Sequence, residues 1–300
     1  MNGARPGIRA FRPEDAPALV KLSIACARGE TDFVMNPFWE TEDELFAEFE
    51  RFGIDPCEHL LVSESDDAEP SGLVGFVRQP GAPTAGFYCP IVTRSERRRG
   101  LGGELLRAAQ ELGRNRLGIL LATAAIGTRN RAGYSLLSSH GFRPVRQHFL
   151  LRCDAAPAEG AELPTETILE PATPEDAEAI LDVYHACGFE ARSREEMRSA
   201  MSDGRHEHAV ARNAGRVVAF TELDTHWPRR VWVAFVGVMP EQRDRGLGSA
   251  LVAWALRLRF ESGTVSAWLL LSLANRTALR AYEKVGFRRH RVIDVLEKYL

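Results

Sequence analysis

One order of features occurs twice in this chain, and that repetition constrains the fold more than any single motif. Val231 to Val238 is an apolar run rich in β-branched and aromatic residues; it reads as a strand, and Pro240 stops it. Arg243-Asp-Arg-Gly246-Leu-Gly248-Ser249 follows, and Leu247, Leu251, Ala255 and Leu258 then recur on one helical face. A second apolar strand, Val265 to Leu273, leads through Asn275 and Tyr282 to Gly286-Phe287. Earlier, a strand from Phe87 to Val92 precedes Arg97-Arg-Arg-Gly100-Leu-Gly102-Gly103, and Leu101, Leu105, Ala108 and Leu112 share a helical face. A strand at Leu117 to Ala122 then leads to Asn130 and Gly141-Phe142, with the spacing of Asn275 and Gly286. The chain therefore reads as two similar domains in tandem.

Strand, glycine turn and helix in that order leave backbone N–H groups unpaired at the helix start. With the positive end of the helix dipole they form a phosphate site. Gly246 and Gly248 let an anion approach the backbone, and Arg243 and Arg245 add charge; Gly100, Gly102, Gly103, Arg97 and Arg99 are the counterparts. Gly246-x-Gly248 lacks the third glycine of a dinucleotide fingerprint, and the sequence contains no Gly-Lys-Ser/Thr phosphate loop.

Arg243-x-x-Gly246-x-Gly248 resembles the pyrophosphate motif of the GNAT superfamily of acetyl-CoA-dependent N-acetyltransferases. Asn275-x-x-Ala278-x-x-x-Tyr282-x-x-x-Gly286-Phe287 resembles that superfamily's second signature. The resemblance implies an α/β (α+β) chain of two GNAT-like domains, each a mixed, mostly antiparallel sheet flanked by helices. It also implies acetyl-CoA as cosubstrate and an amine of a small molecule or peptide as acceptor. On this reading the amides of Arg245 to Ser249 hold the pyrophosphate, with Asn275 in the second signature. The Val236 to Val238 backbone pairs with pantetheine and sets an N–H against the thioester carbonyl. Tyr282 is then the acid that protonates the leaving thiolate, since a phenol with a pKa of about 10 carries its proton at neutral pH. Its bland alternative is a core tyrosine. Tandem members of the superfamily divide labour between their halves, and this layout resembles the mycothiol synthase type.

Glu222, in an apolar strand beside the pantetheine strand, is the candidate base, directly or through water; Asp224 and Glu241 are the runners-up. The alternative is a carboxylate on a solvent-facing edge. Seven residues after Asn275 stands Tyr282, but seven after Asn130 stands Leu137, which has no proton to give. Tyr134, one turn earlier, compensates only if the helix is shifted. The first domain is thus expected to bind CoA but to be weakened or silent in catalysis. A second reading of the whole chain is a noncatalytic acyl-CoA-binding regulator or structural partner.

Other segments complete the plan. Arg12-Pro13-Glu14-Asp15 and Thr173-Pro174-Glu175-Asp176 each open a helix after a short strand. The two openings lie farther apart than the two glycine motifs, so the first half carries extra residues. Thr31 to Gly53, rich in aromatics, is where some of them fall: helices on the acceptor side of the cleft by resemblance, or an amphipathic helix with its aromatics in the core. Pro90, inside an apolar strand, implies a bulge or a splayed strand pair. Residues 154–166, rich in Ala, Pro and acid, read as a linker between domains at 1–153 and 167–300.

At 300 residues and 45% hydrophobic, the chain has enough apolar material for two cores. A formal net charge of -3 gives no reason to expect a nucleic-acid or membrane partner. No signal peptide or membrane span is evident, and five scattered cysteines without metal-ligand spacing fit reduced thiols in a cytoplasmic protein. No metal is expected, His206-Glu-His208 reading as a strand end, and the chain is expected to be a monomer or homodimer.

Overall fold

The computed structural model describes residues 7–64, 69–78, 81–158, 163–189 and 192–300. Two compact units are present: Met1–His148 with Arg291–Leu300, and Phe149–His290. The boundary differs from a sequential division at 154–166, part of which (159–162) lies outside the described residues. The last ten residues complete the first unit, and the end of the first half's last strand joins the second.

In the first unit the elements are β1 (Ile8–Ala10), α1 (Ala16–Arg28), α2 (Glu42–Phe52), α3 (Pro56–His59), β2 (Leu60–Glu64), β3 (Pro70–Val77), β4 (Thr84–Val92), α4 (Leu101–Leu112), β5 (Leu121–Gly127), α5 (Arg131–Ser139) and β6 (Arg143–Cys153). The second holds β7 (Thr167–Pro171), α6 (Ala177–Ala186), α7 (Arg194–Ser202), β8 (His206–Asn213), β9 (Arg216–Asp224), β10 (Arg230–Val238), α8 (Leu247–Glu261), β11 (Ser266–Ser272) and α9 (Arg276–Val285), and the chain ends in β12 (Arg288–Tyr299). The first sheet runs β1-β2-β3-β4-β5-β12, with Ile293 to Tyr299 of β12 antiparallel to Gly127 to Leu121 of β5. In the second, Phe149 to Cys153 of β6 lies beside β11, followed by β10, β9, β8 and β7. Each sheet is mostly antiparallel and carries a parallel pair, β4 with β5 and β10 with β11.

Local chemistry sets these boundaries. The side chains of Asp15 and Asp176 accept from the backbone N–H three residues earlier, at 2.8 and 3.0 Å, so both halves open their first helix alike. Thr41 caps α2 by accepting from Glu44 N at 3.2 Å, three acids fill its first turn, and Gly53 ends it in the left-handed region. Leu45 and Phe49 of α2, with Phe33, Phe38 and Trp39 before it, are buried, so most aromatics of this segment belong to the core, while Phe46 is exposed and Phe52 half-buried. Ala214 and Gly215, both left-handed, make the tight turn between β8 and β9. The strand expected at Leu117 to Ala122 starts four residues later. One wide helical turn continues α4 through Leu117, and Gly118 at φ 64 closes it.

Candidate active site

β10 is the frame of the site in the second unit. It pairs with β11 only from Arg230 to Trp232, while its other edge stays bonded to β9 as far as Val238. Beyond Trp232 one edge of β10 therefore has no strand neighbour. An extra residue, Ala234, bulges between Val233 and Phe235 and turns the strand at the start of this opening. Val236 and Val238 are half-exposed there. Such an edge bonds an extended chain of amides, which is what pantetheine offers.

The turn after β10 places a second feature at the strand's end. Asp244 (φ 61) and Gly246 (φ 77) are left-handed, and Gly246 is the N-cap of α8. The first helical bond runs from Ala250 N–H to Gly246 O at 3.0 Å, so the amides of Leu247, Gly248 and Ser249 lie ahead of the ladder. The result is a backbone cradle at a helix N-terminus, suited to phosphate. Gly248 packs close to the strand: a Cβ there would sit tight against Val238, at 3.2 Å, and in ordinary contact with Val236, at 3.7 Å. The predicted residues Val236, Val238 and Gly248 thus meet. Ser249 Oγ donates to Gly246 O at 2.9 Å. Arg243 braces the turn, with Nε donating to Val238 O at 3.1 Å, and Arg245 donates to Gln242 at 3.3 Å. Asn275 caps α9 by accepting from Ala278 N at 3.0 Å.

Tyr282, on α9, packs edge-on against Phe287 with ring centroids 5.6 Å apart. Burial pushes its phenol up to about 12, which keeps the proton on oxygen at neutral pH. Glu222 sits elsewhere, one strand in from the open edge on β9, across from Phe235, and is 1% exposed. Arg192 holds it with both arms, at 2.7 and 3.1 Å, and His208 Nε2 lies 3.4 Å away. Burial raises the Glu222 carboxyl, but the His208 and Arg192 contacts outweigh it and hold the group below the usual glutamate range. The Arg192 guanidinium also covers the rings of Phe235 and Tyr184, 5.1 and 5.5 Å from their centroids. Of the runners-up, Asp224 bonds His226 Nδ1 and Glu241 is exposed on the turn. His208, read from sequence as part of an exposed strand end, is instead buried on β8 opposite Glu222; nothing local in the sequence marks Arg192.

The first unit repeats the frame with differences. β4 pairs with β5 from Thr84 to Phe87 only, and its register shifts at Cys89 and Pro90 opposite Val74, so Pro90 marks both a bulge and a splay. Arg98 (φ 62) and Gly100 (φ 94) are left-handed, and Gly100 caps α4. Arg97 Nε donates to Val92 O at 2.9 Å, as Arg243 does to Val238, and Arg99 pairs with Glu96 at 2.9 Å. A Cβ on Gly102 would lie 3.2 Å from Leu136, and one on Gly103 3.7 Å from Arg107 and His140. A cavity of about 600 Å³ lies here, lined by Val92, Arg97, Arg98, Gly102 and Asn130 among others. On α5 the roles of two positions are exchanged: Leu137, at the place of Tyr282, is 1% exposed in the core, and half-buried Tyr134 stands where α9 has buried Leu279. Tyr134 packs against the first unit's core and does not take the place of Tyr282.

A mixed sheet that splays at one parallel strand pair, with a left-handed glycine turn opening the next helix, defines an acyl-CoA-type transferase fold, here present twice. The chain belongs to the acetyltransferase (GNAT) family, whose profile matches residues 27–142 and 176–287, once in each half. Members of the family use acetyl-CoA as cosubstrate. Over 261 residues the chain is 28% identical to a mycothiol acetyltransferase of Pseudarthrobacter chlorophenolicus, covering 78% of this chain and 80% of that one. Over 310 residues it is 27% identical to the protein of the same name in Thermobispora bispora, covering 95% and 96%. A GCN5-related N-acetyltransferase from Sphaerobacter thermophilus matches the fold with a TM-score of 0.80 at 21% identity, over 100% of this chain and 97% of that one. A tandem GNAT protein from the clavulanic acid biosynthesis pathway matches at 0.73 and 19%, over 98% of each. Among the described residues no helix is long and apolar enough to cross a membrane, and no group of three or more His, Cys, Asp or Glu is placed to hold a metal.

Proposed function

We propose that the second unit transfers an acetyl group from acetyl-CoA to the amine of a small molecule or peptide. The observation that carries this is the open edge of β10 ending at the Gly246 cradle. An acyl-pantetheine bonded along that edge would place its diphosphate at the amides of Arg245 to Ser249. The acceptor nitrogen attacks the thioester carbonyl, an N–C bond forms, the C–S bond breaks, and Tyr282 gives its proton to the departing sulfur. Glu222 accepts the amine's proton through water, because Arg192 and His208 engage the carboxylate directly. A carboxylate held below its usual range is a weak base, so the acceptor reacts best when already deprotonated. The relatives' name makes an amine related to mycothiol the first acceptor to try. The first unit binds CoA without turnover.

CoA release from acetyl-CoA, followed across a panel of amines that includes that acceptor, tests the assignment. Amine-dependent release is expected. Stoichiometric binding of acetyl-CoA with no release on any amine would favour a binding protein instead.

A further inference from the structure

The splay between β4 and β5 in the first unit is not open along its length. Residues 33–36 run into it. Met35 N–H donates to Ala125 O at 2.9 Å, and Gly127 N–H donates to Phe33 O at 3.2 Å, both on β5. Val34 pairs antiparallel with Ile126. On the opposite wall, Cys89 N–H of β4 donates to Asn36 O at 3.0 Å. Asn130 adds its side-chain amide to Phe33 O at 3.2 Å. Phe33 and Val34 are buried, at 0% and 4% exposure. Ladder groups of both strands at the inner end of the splay are thereby bonded by the chain's own backbone. The 600 Å³ cavity lies outside this plug, against Ile91, Val92, Arg97, Arg98 and Gly102, with Val34 in its wall. In the second unit, among the described residues, no segment bonds the β10 edge in this way.

We propose that Phe33–Asn36 is a built-in strand that closes the acyl end of the first unit's cleft, leaving a site for the diphosphate and pantetheine of CoA that does not read the acyl group. The proposal rests on the reading that each glycine cradle holds CoA diphosphate. It gives the first unit a physical reason for silence that is independent of Leu137: four residues of the extra segment stand where a thioester would pair. A ligand with a longer acyl chain gains no contacts, since backbone already satisfies the groups it would meet.

Two measurements on the full chain test this. With the second cradle disabled by Gly246→Asp, calorimetry should find CoA and acetyl-CoA bound within about twofold of each other. Acetyl-CoA bound at least tenfold more tightly than CoA would overturn the plug alone. Binding of neither, in a chain with an unchanged melting profile, would overturn the cradle reading beneath it. In the unsubstituted, ligand-free protein, hydrogen exchange should show the amides of Met35, Cys89 and Gly127 protected to the level of β4 itself. Exchange at those three amides as fast as in exposed loops would show that the splay is open, and would overturn the proposal even if Gly246→Asp failed to fold.

Discussion

Arg192 grips Glu222 with both arms of its guanidinium, at 2.7 and 3.1 Å, on the buried face of β9. The pair fixes which charge the second unit's core carries. Glu222 is lower in the folded protein than in the unfolded chain, so it contributes stability above the ordinary glutamate value of about 4.3, and that stability is lost as pH falls through the lower folded value. Arg192→Gln strands the carboxylate, and such breaks cost about 3–5 kcal/mol at neutral pH. The difference between the two proteins should shrink as pH drops below about 4. Denaturant melts of the second unit's transition between pH 3 and 7 check this; a deficit that does not change with pH would mean the pair is packing only.

Tyr282 and Leu137 occupy matching places on α9 and α5, one with a hydroxyl and one without. Tyr282→Phe keeps the ring against Phe287 and removes the proton. Turnover should fall by roughly 10²–10⁴ with acetyl-CoA affinity near that of the unsubstituted protein. Leu137→Ala opens a cavity in the first unit and should cost about 2–5 kcal/mol of stability, with turnover per folded molecule little changed. Full turnover in Tyr282→Phe, on any acceptor the parent uses, would remove the acid role.

The last strand gives a prediction that runs against chain order. Residues 293–299 pair antiparallel with β5, although they follow the second unit in sequence. Deleting 291–300 strips one side of β5 of its ladder and takes the fully buried Ile293 and Leu296 out of the first unit, uncovering the apolar groups they pack on. Limited proteolysis should then cut within residues 84–127, which the intact chain protects. Unchanged resistance there would show that the first unit stands without β12.

The repeat, the strand–turn–helix order and the Gly246 and Gly100 cradles were legible because each depends on residues close in sequence. Pro90 announced its bulge for the same reason: a missing N–H is a local fact. The start of β5 was misplaced because Leu117 and Ile119 are apolar in either a helical end or a strand, and Gly118 decides between them through a backbone angle that sequence does not display. The exchange of β12 into the first unit is a question of which edge an apolar strand meets, and alternation alone does not choose an edge. Glu222 was found as an unusual carboxylate in an apolar strand. Its partner Arg192, thirty positions away in sequence, required the fold to bring α6, α7 and β9 together. The plug at Phe33–Asn36 was visible only as aromatic surplus, since its work is done by backbone groups that every residue carries.

Which cradle supports chemistry is tested most directly by disabling each in turn. CoA release from acetyl-CoA should be compared in Gly246→Asp and Gly100→Asp, each a carboxylate set at a left-handed helix cap where a phosphate is expected. A loss of at least about 100-fold in kcat/KM for acetyl-CoA, some 2.7 kcal/mol, is expected in Gly246→Asp, and a change within about tenfold in Gly100→Asp. The reverse order, or equal activity in both, would contradict the assignment of acetyl transfer to the second unit.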